Sequence, residues 1–332
     1  MTACARTLKG IIGEQLLHIQ CWSHKLDKLE KIPSQAFTKL NEYVSKTKQV
    51  FLNTRKRKHR YISFLEDKYG QNNNDIGFKK AKLFPMPVMT RWNSWVQSVD
   101  CISDYAEDIF EFVRTLDDSD SNAVEYFKNL EELDWKIVKA EAAFVVEHCA
   151  PVSDLLLLLE GNKYPLAHRL LPNLNQLLVS FTIIMESDRI KRVVGEKTLA
   201  ALLQLPKQEM YRAGRRMRSM CRMCFDRLTG LIDTDTAKLF FESCASLFCP
   251  VKIMSGTVDT VSRAYKNIPM LKEIPLAQFL VQHGVLQKEV ENYLLNNRSK
   301  KVDAVHEVLK GMLASENKSF AIVCLQVIFS PV

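Results

Sequence analysis

Glycine is scarce in this chain, with eleven in 332 residues, and long stretches hold neither glycine nor proline. Sheets with many strands need frequent tight turns, which these residues build, so their scarcity argues against a many-stranded fold and for helices. No uninterrupted apolar run approaches the roughly eighteen residues of a membrane span. The first residues carry Arg6 and Lys9 without the apolar core of a secretory leader, which points to the nucleus or cytoplasm and away from a membrane partner. Nine cysteines, odd in number and scattered, speak against a disulfide framework and for small buried hydrophobes. Internal repeats are also missing. With 47% hydrophobic residues the chain can bury a large core, as one extended domain or two smaller ones.

Charge is present but segregated. Residues 1–100 hold 18 Lys/Arg against 8 Asp/Glu, residues 101–160 hold 4 against 15, and residues 161–332 hold 24 against 15. Two basic arms therefore flank an acidic middle. Basic surfaces favour polyanions; alternatively, the acidic segment neutralises a basic one inside the fold.

Apolar spacing predicts a mainly α-helical protein. Trp95, Val99, Ile102, Ala106, Ile109, Val113 and Leu116 recur at steps of four and three, which marks one buried stripe on a helix from Asn93 to about Leu116. A second amphipathic helix is expected over roughly Pro33–Arg60, and further ones at about 122–130, 135–149, 167–187, 196–204, 208–230, 236–248 and 301–313. Gln71–Gly77 reads as a polar loop. Strand candidates are few: Leu16–Gln20 and Ala321–Phe329.

Two short motifs stand out. Cys21-Trp22-Ser23-His24 follows an apolar run, and Phe84-Pro85-Met86-Pro87-Val88-Met89-Thr90-Arg91-Trp92 comes about seventy residues later. In this order and spacing they resemble the central region of the hAT family of DNA transposases, in the branch with CxxH followed by FPxPVxTRW. The resemblance implies a multi-helix insertion domain with one or two residual strands of an RNase H-like core. It divides the chain into a residual RNase H-like segment (1–32), two helical halves of the insertion domain (33–160 and 161–320) and a residual strand (321–332). It also implies that the family's catalytic Asp and Glu blocks fall outside the sequence, so that cleavage activity is not expected and no catalytic residue is assigned. Glu14, Asp27, Asp100 and Asp104 are the acids nearest the motifs, and none matches a family position.

For DNA, the resemblance implies that Trp92 stacks on an extruded base, and the adjacent Arg91 can fork onto a phosphate. The alternative for such a Trp is a core anchor. Two basic runs add to this: Arg55, Lys56, Arg57, Lys58 and Arg60 form a nuclear-localisation or nucleic-acid patch, and Arg215, Arg218 and Arg222 lie on one face of a helix able to track a phosphate backbone. Solvated charge is the alternative for both. Cys21 and His24 supply only two of the four ligands of a structural zinc, and the resemblance implies an architectural role for them. Cys221 and Cys224, with Cys244 and Cys249 downstream, mimic a thiolate spacing, yet Met217, Cys221, Cys224 and Leu228 fall on one apolar helix face. No metal or cofactor is expected. The reading is a transposase-derived DNA-binding protein. Its competitors are a helical protein-interaction module, docking a protein partner through Leu155–Leu159 and the acidic helices, and a decayed reading frame; a transposase acting in trans is a further candidate partner.

Overall fold

A computed structural model of the chain describes residues 21–29, 31–52, 54–69, 82–87, 92–117, 121–160, 165–297 and 303–330. Every regular element among them is helical. In chain order these are α1 (Trp22–Leu26), α2 (Lys31–Ala36), α3 (Thr38–Phe51), α4 (Arg55–Tyr69), α5 (Trp92–Arg114), α6 (Asn122–Asn129), α7 (Glu132–Glu160), α8 (Leu170–Met185), α9 (Glu196–Leu203), α10 (Lys207–Asp233), α11 (Lys238–Phe248), α12 (Pro250–Ile253), α13 (Val258–Lys266), α14 (Leu276–Asn296), α15 (Ala304–Met312) and α16 (Lys318–Ile328), with three short 3-10 turns between them.

Most of the expected helices are present, but three expectations need correcting. The helix anticipated over Pro33–Arg60 is three helices, because Phe37 leaves helical geometry (φ −110°, ψ 67°) and Leu52 is extended (φ −66°, ψ 128°). Phe37 gives up helical backbone to seat its ring in the core, edge-on to Phe144 at 6.1 Å. The strand expected at Ala321–Phe329, within the segment 321–332, is helix α16. Its buried residues Phe320, Ala321, Val323, Cys324, Val327 and Ile328 follow a helical period, which prevails over the β-branched composition. Finally, although no uninterrupted apolar run is long, α7 is long and apolar enough by composition to cross a membrane. It nonetheless buries Val138, Ala142, Val145, Cys149 and Val152 inside the protein and carries the buried Glu141. The strand candidate Leu16–Gln20 and the loop Gln71–Gly77 lie outside the described residues.

The chain divides into two compact units, neither contiguous: one of residues 1–25, 155–178 and 228–332, the other of 26–154 and 179–227. In the second unit, the stripe expected on α5 is buried throughout, from Trp95 to Val113. An aromatic cluster forms around Phe51, whose ring lies 5.0 Å from Tyr61 and 6.1 Å from Phe112. The Tyr43 hydroxyl donates to the Ala106 carbonyl at 2.6 Å, next to Tyr105, where α5 is kinked (φ −122°, ψ 15°). A side chain competing for the helical carbonyls is one of the known causes of such a kink.

The first unit centres on Phe279 of α14, whose ring lies 5.1 Å from Tyr265 and 5.7 Å from Phe320. Several of its buried polar groups are paired. His283 Nε2 lies 3.0 Å from the Leu247 carbonyl, and His168 Nε2 lies 2.7 Å from Asp303, which also meets Arg169 at 3.2 Å. The amides of Leu166 and Ala167 donate to the Ile328 carbonyl and close the end of α16.

Candidate nucleic-acid interface

The Cys-x-x-His segment is organised by the residues around its two named members. Trp22 and Lys25, one helical turn apart, are buried, whereas Cys21 and His24 are exposed. Trp22 Nε1 donates to Asp235 Oδ2 at 2.7 Å, and Lys25 Nζ sits 3.1 Å from the same oxygen and 4.5 Å from the indole centroid. Lys25 is thus ion-paired without the alignment of a hydrogen bond. The remaining oxygen of Asp235 accepts the Ala237 amide at 2.9 Å. Trp22 and Lys25 anchor the segment, in place of the exposed Cys21 and His24, and Asp235 is the partner that sequence patterning did not single out. Cys21 Sγ lies 2.9 Å from Ser23 Oγ. Partial burial raises its pKa, but hydrogen bonds from the side chains and amides of Ser23 and His24 outweigh this and bring it down to about 7.

In the second motif, Phe84 is buried and stacks on Phe51 at 6.2 Å. The Pro85 carbonyl accepts the Ser98 hydroxyl at 3.0 Å, and the Pro87 carbonyl accepts Lys48 Nζ at 2.9 Å. These bonds hold the irregular run 82–87 against α3 and α5. Arg91 lies outside the described residues, and of Trp92 only its place as the first residue of α5 is described. Trp95 belongs to the core, its indole donating to Asn41 Oδ1 at 3.3 Å.

Part of the charge segregation is neutralised within the molecule. Four cations of the flanking arms pair with the acidic middle: Lys39 with Asp134, Lys68 with Asp108 and Glu111, Lys197 with Asp104, and Arg216 with Glu141. This is the neutralisation that composition alone left open. It does not extend to the two basic runs. On α4, Arg55, Lys56 and Arg60 are exposed, and neither they nor Lys58 pair with any described carboxylate; Arg57 turns back to the Val50 carbonyl at 3.1 Å. On α10, Arg215 and Arg222 are exposed, Arg215 lying 5.1 Å from the Tyr211 ring centroid, while Arg218 reaches the Ser187 carbonyl at 3.4 Å.

Three of the four cysteines singled out for their spacing are core side chains, and Cys249 is half-buried. Cys221, Cys224 and Cys244 are buried. Burial pushes the Cys221 thiol up to about 12 and Cys224 further in the same direction, and Cys224 donates to Met220 Sδ at 3.4 Å. Among the described residues no three His, Cys, Asp or Glu side chains come together as a metal site. Of the acids near the motifs, Asp27 is exposed, Asp100 lies 3.7 Å from Lys82, Asp104 is paired with Lys197, and Glu14 lies outside the described residues. In the segment Leu155–Leu159, Leu155 and Leu156 are buried and Leu157 is exposed.

Patterning also missed a cavity of about 690 Å³ between the 187–192 turn and the first half of α10. The run Asp188-Arg189-Ile190-Lys191-Arg192 was a legible signal for it. Comparison of the chain with family models, with curated proteins and with solved structures finds no match.

Proposed function

We propose that this protein is derived from a hAT transposase and binds DNA without cleaving it, with α4 and α10 as its phosphate-contacting helices and Trp92 and Arg91 as its contact to the DNA end. The observation that carries the reading is the exposure of Arg55, Lys56, Arg60, Arg215 and Arg222, none paired with a described carboxylate, while five acids of the middle segment are engaged by other cations of the arms. Unpaired guanidinium and ammonium groups release condensed counterions when they meet phosphate, and this gives affinity with little dependence on sequence. Cleavage is left out because none of the acids near the motifs matches a catalytic position of the family; Asp100 and Asp104, which follow the second motif, form ion pairs with Lys82 and Lys197.

Fluorescence anisotropy with duplex and hairpin DNA tests the reading. Six neutralised phosphates give a slope of log affinity against log salt of about −5. Replacing Arg55, Lys56 and Arg60 by Ala reduces that slope by about 0.9 for each phosphate no longer neutralised. Affinity indifferent to salt, or no binding at low salt, rejects the proposal.

A further inference from the structure

The cavity beside α10 combines two properties that together specify a ligand. Its wall is mainly apolar, formed by Ile190, Met210 and the Tyr211 ring, which is 61% exposed. Gly214 makes the close approach possible, since a Cβ there would lie 3.0 Å from Ile190 Cγ2. The rim, in contrast, is cationic: the lining includes five basic side chains, among them Arg189, Arg192, Lys207 and Arg218, against the single carboxylate of Asp188. Arg189, Arg192 and Lys207 are exposed, and none of the three pairs with a described carboxylate. A volume of about 690 Å³ falls in the size class of small-molecule sites. Such a space admits one flat apolar group.

We propose that this cavity is a nucleotide site, holding the base against Tyr211, Ile190 and Met210 and the phosphates on Arg189, Arg192, Lys207 and Arg218. An aromatic base satisfies the apolar wall through stacking on an exposed phenol ring, and every base has the required face. Guanidinium groups fork onto phosphate oxygens in a fixed planar geometry. Two sources share this chemistry, a free nucleotide and an unpaired nucleotide of a single strand, and Arg218 joins the cavity to the basic face of α10 along which a strand would run. The site goes beyond the duplex-binding reading, since a free nucleotide can occupy it whether or not α4 engages DNA.

The probe is dATP carrying a fluorescent N-methylanthraniloyl group on its sugar, displaced by unlabelled dATP, inorganic pyrophosphate, oligo(dT) and the same oligomer made abasic. The base accounts for at least a tenfold preference for dATP over pyrophosphate, on the order of one stacking interaction. Tyr211→Ala lowers dATP affinity by roughly 5- to 150-fold while leaving pyrophosphate affinity unchanged, and Tyr211→Phe retains it. An intact oligomer that outcompetes both dATP and its abasic form assigns the site to a strand; dATP outcompeting the oligomer assigns it to the free nucleotide. Pyrophosphate matching dATP, Tyr211→Ala without effect, or no binding of the probe overturns the proposal. Loss of duplex binding with dATP binding intact removes only the DNA reading.

Discussion

Glu141 offers the sharpest test of how the second unit is held together. Its side chain is 2% exposed, it meets Arg216 Nε at 2.8 Å through one oxygen, and its other oxygen is buried without a hydrogen bond. Burial raises its pKa from the ordinary 4.5 to about 7, and attraction to Arg216 recovers only part of the loss. Between those two pH values the folded protein binds a proton that the unfolded chain has released. The contribution of this carboxyl to stability is therefore fully present at about pH 4.5 and below, and is lost as pH rises toward 7. At about 1.4 kcal/mol per unit of pH, the decline attributable to this carboxyl is about 3 kcal/mol. Glu141→Gln removes the titration. Arg216, 35% exposed, can then turn to water, so the variant equals or exceeds the parent in stability at about pH 8 and follows a flatter profile below it. Arg216→Ala does the reverse, stranding a buried carboxylate at a cost of about 3–5 kcal/mol at the same pH. Urea unfolding across this pH range, read by Trp fluorescence, measures all three proteins. A parent whose stability rises from about pH 5 to 8 by the same amount as that of Glu141→Gln would refute the reasoning.

Asp235→Ala leaves the Lys25 ammonium and the Trp22 indole buried without their acceptor, and is expected to destabilise the protein by about 3–5 kcal/mol in urea unfolding, whereas an exposed ion pair such as Lys310 with Glu307 costs less than about 1 kcal/mol when broken. Among the eight described cysteines, Cys21 should alkylate fastest, with a rate that climbs through about pH 7; Ser23→Ala should move that midpoint upward, and peptide mapping after iodoacetamide pulses reads both. The Glu147 carboxylate accepts the amides of Lys197 and Thr198 at 2.8 and 3.1 Å and so caps α9 from outside the helix. Glu147→Ala should cost about 1–2 kcal/mol, and Gly195→Ala should also destabilise, since a Cβ there runs into that carboxylate; thermal melts of the two variants and the double mutant would show strongly non-additive losses.

The helical class was legible because amphipathic spacing is a local property. The stripe from Trp95 to Val113 could be read residue by residue, and α5 forms on it. Helix α14 was not read, since its buried residues Phe279, His283, Leu286 and Val290 share the helix with exposed Val281, Leu294 and Leu295, which blur the stripe. Helix α13 begins with a capping box whose third residue is Thr260 and lacks the Glu or Gln that marks one in a sequence. For the site, exposed basic runs could be counted, but their freedom could not: whether Lys68 or Arg55 is neutralised depends on Asp108 and Glu111, brought near by tertiary packing. The same holds for Asp235, more than 200 residues from the indole it binds.

Discontinuity of the two units sets a practical rule for anyone dissecting the molecule. A single cut after residue 25, 154, 178 or 227 leaves at least one unit in two pieces, and these cuts fall inside α1, α7, α8 and α10 in turn. Serial deletions would thus disrupt at least one unit and be mistaken for loss of a local activity. Point substitutions at solvent-facing side chains are the tools that separate folding from binding, and a nicked but undissociated chain is the signature to seek after brief protease treatment.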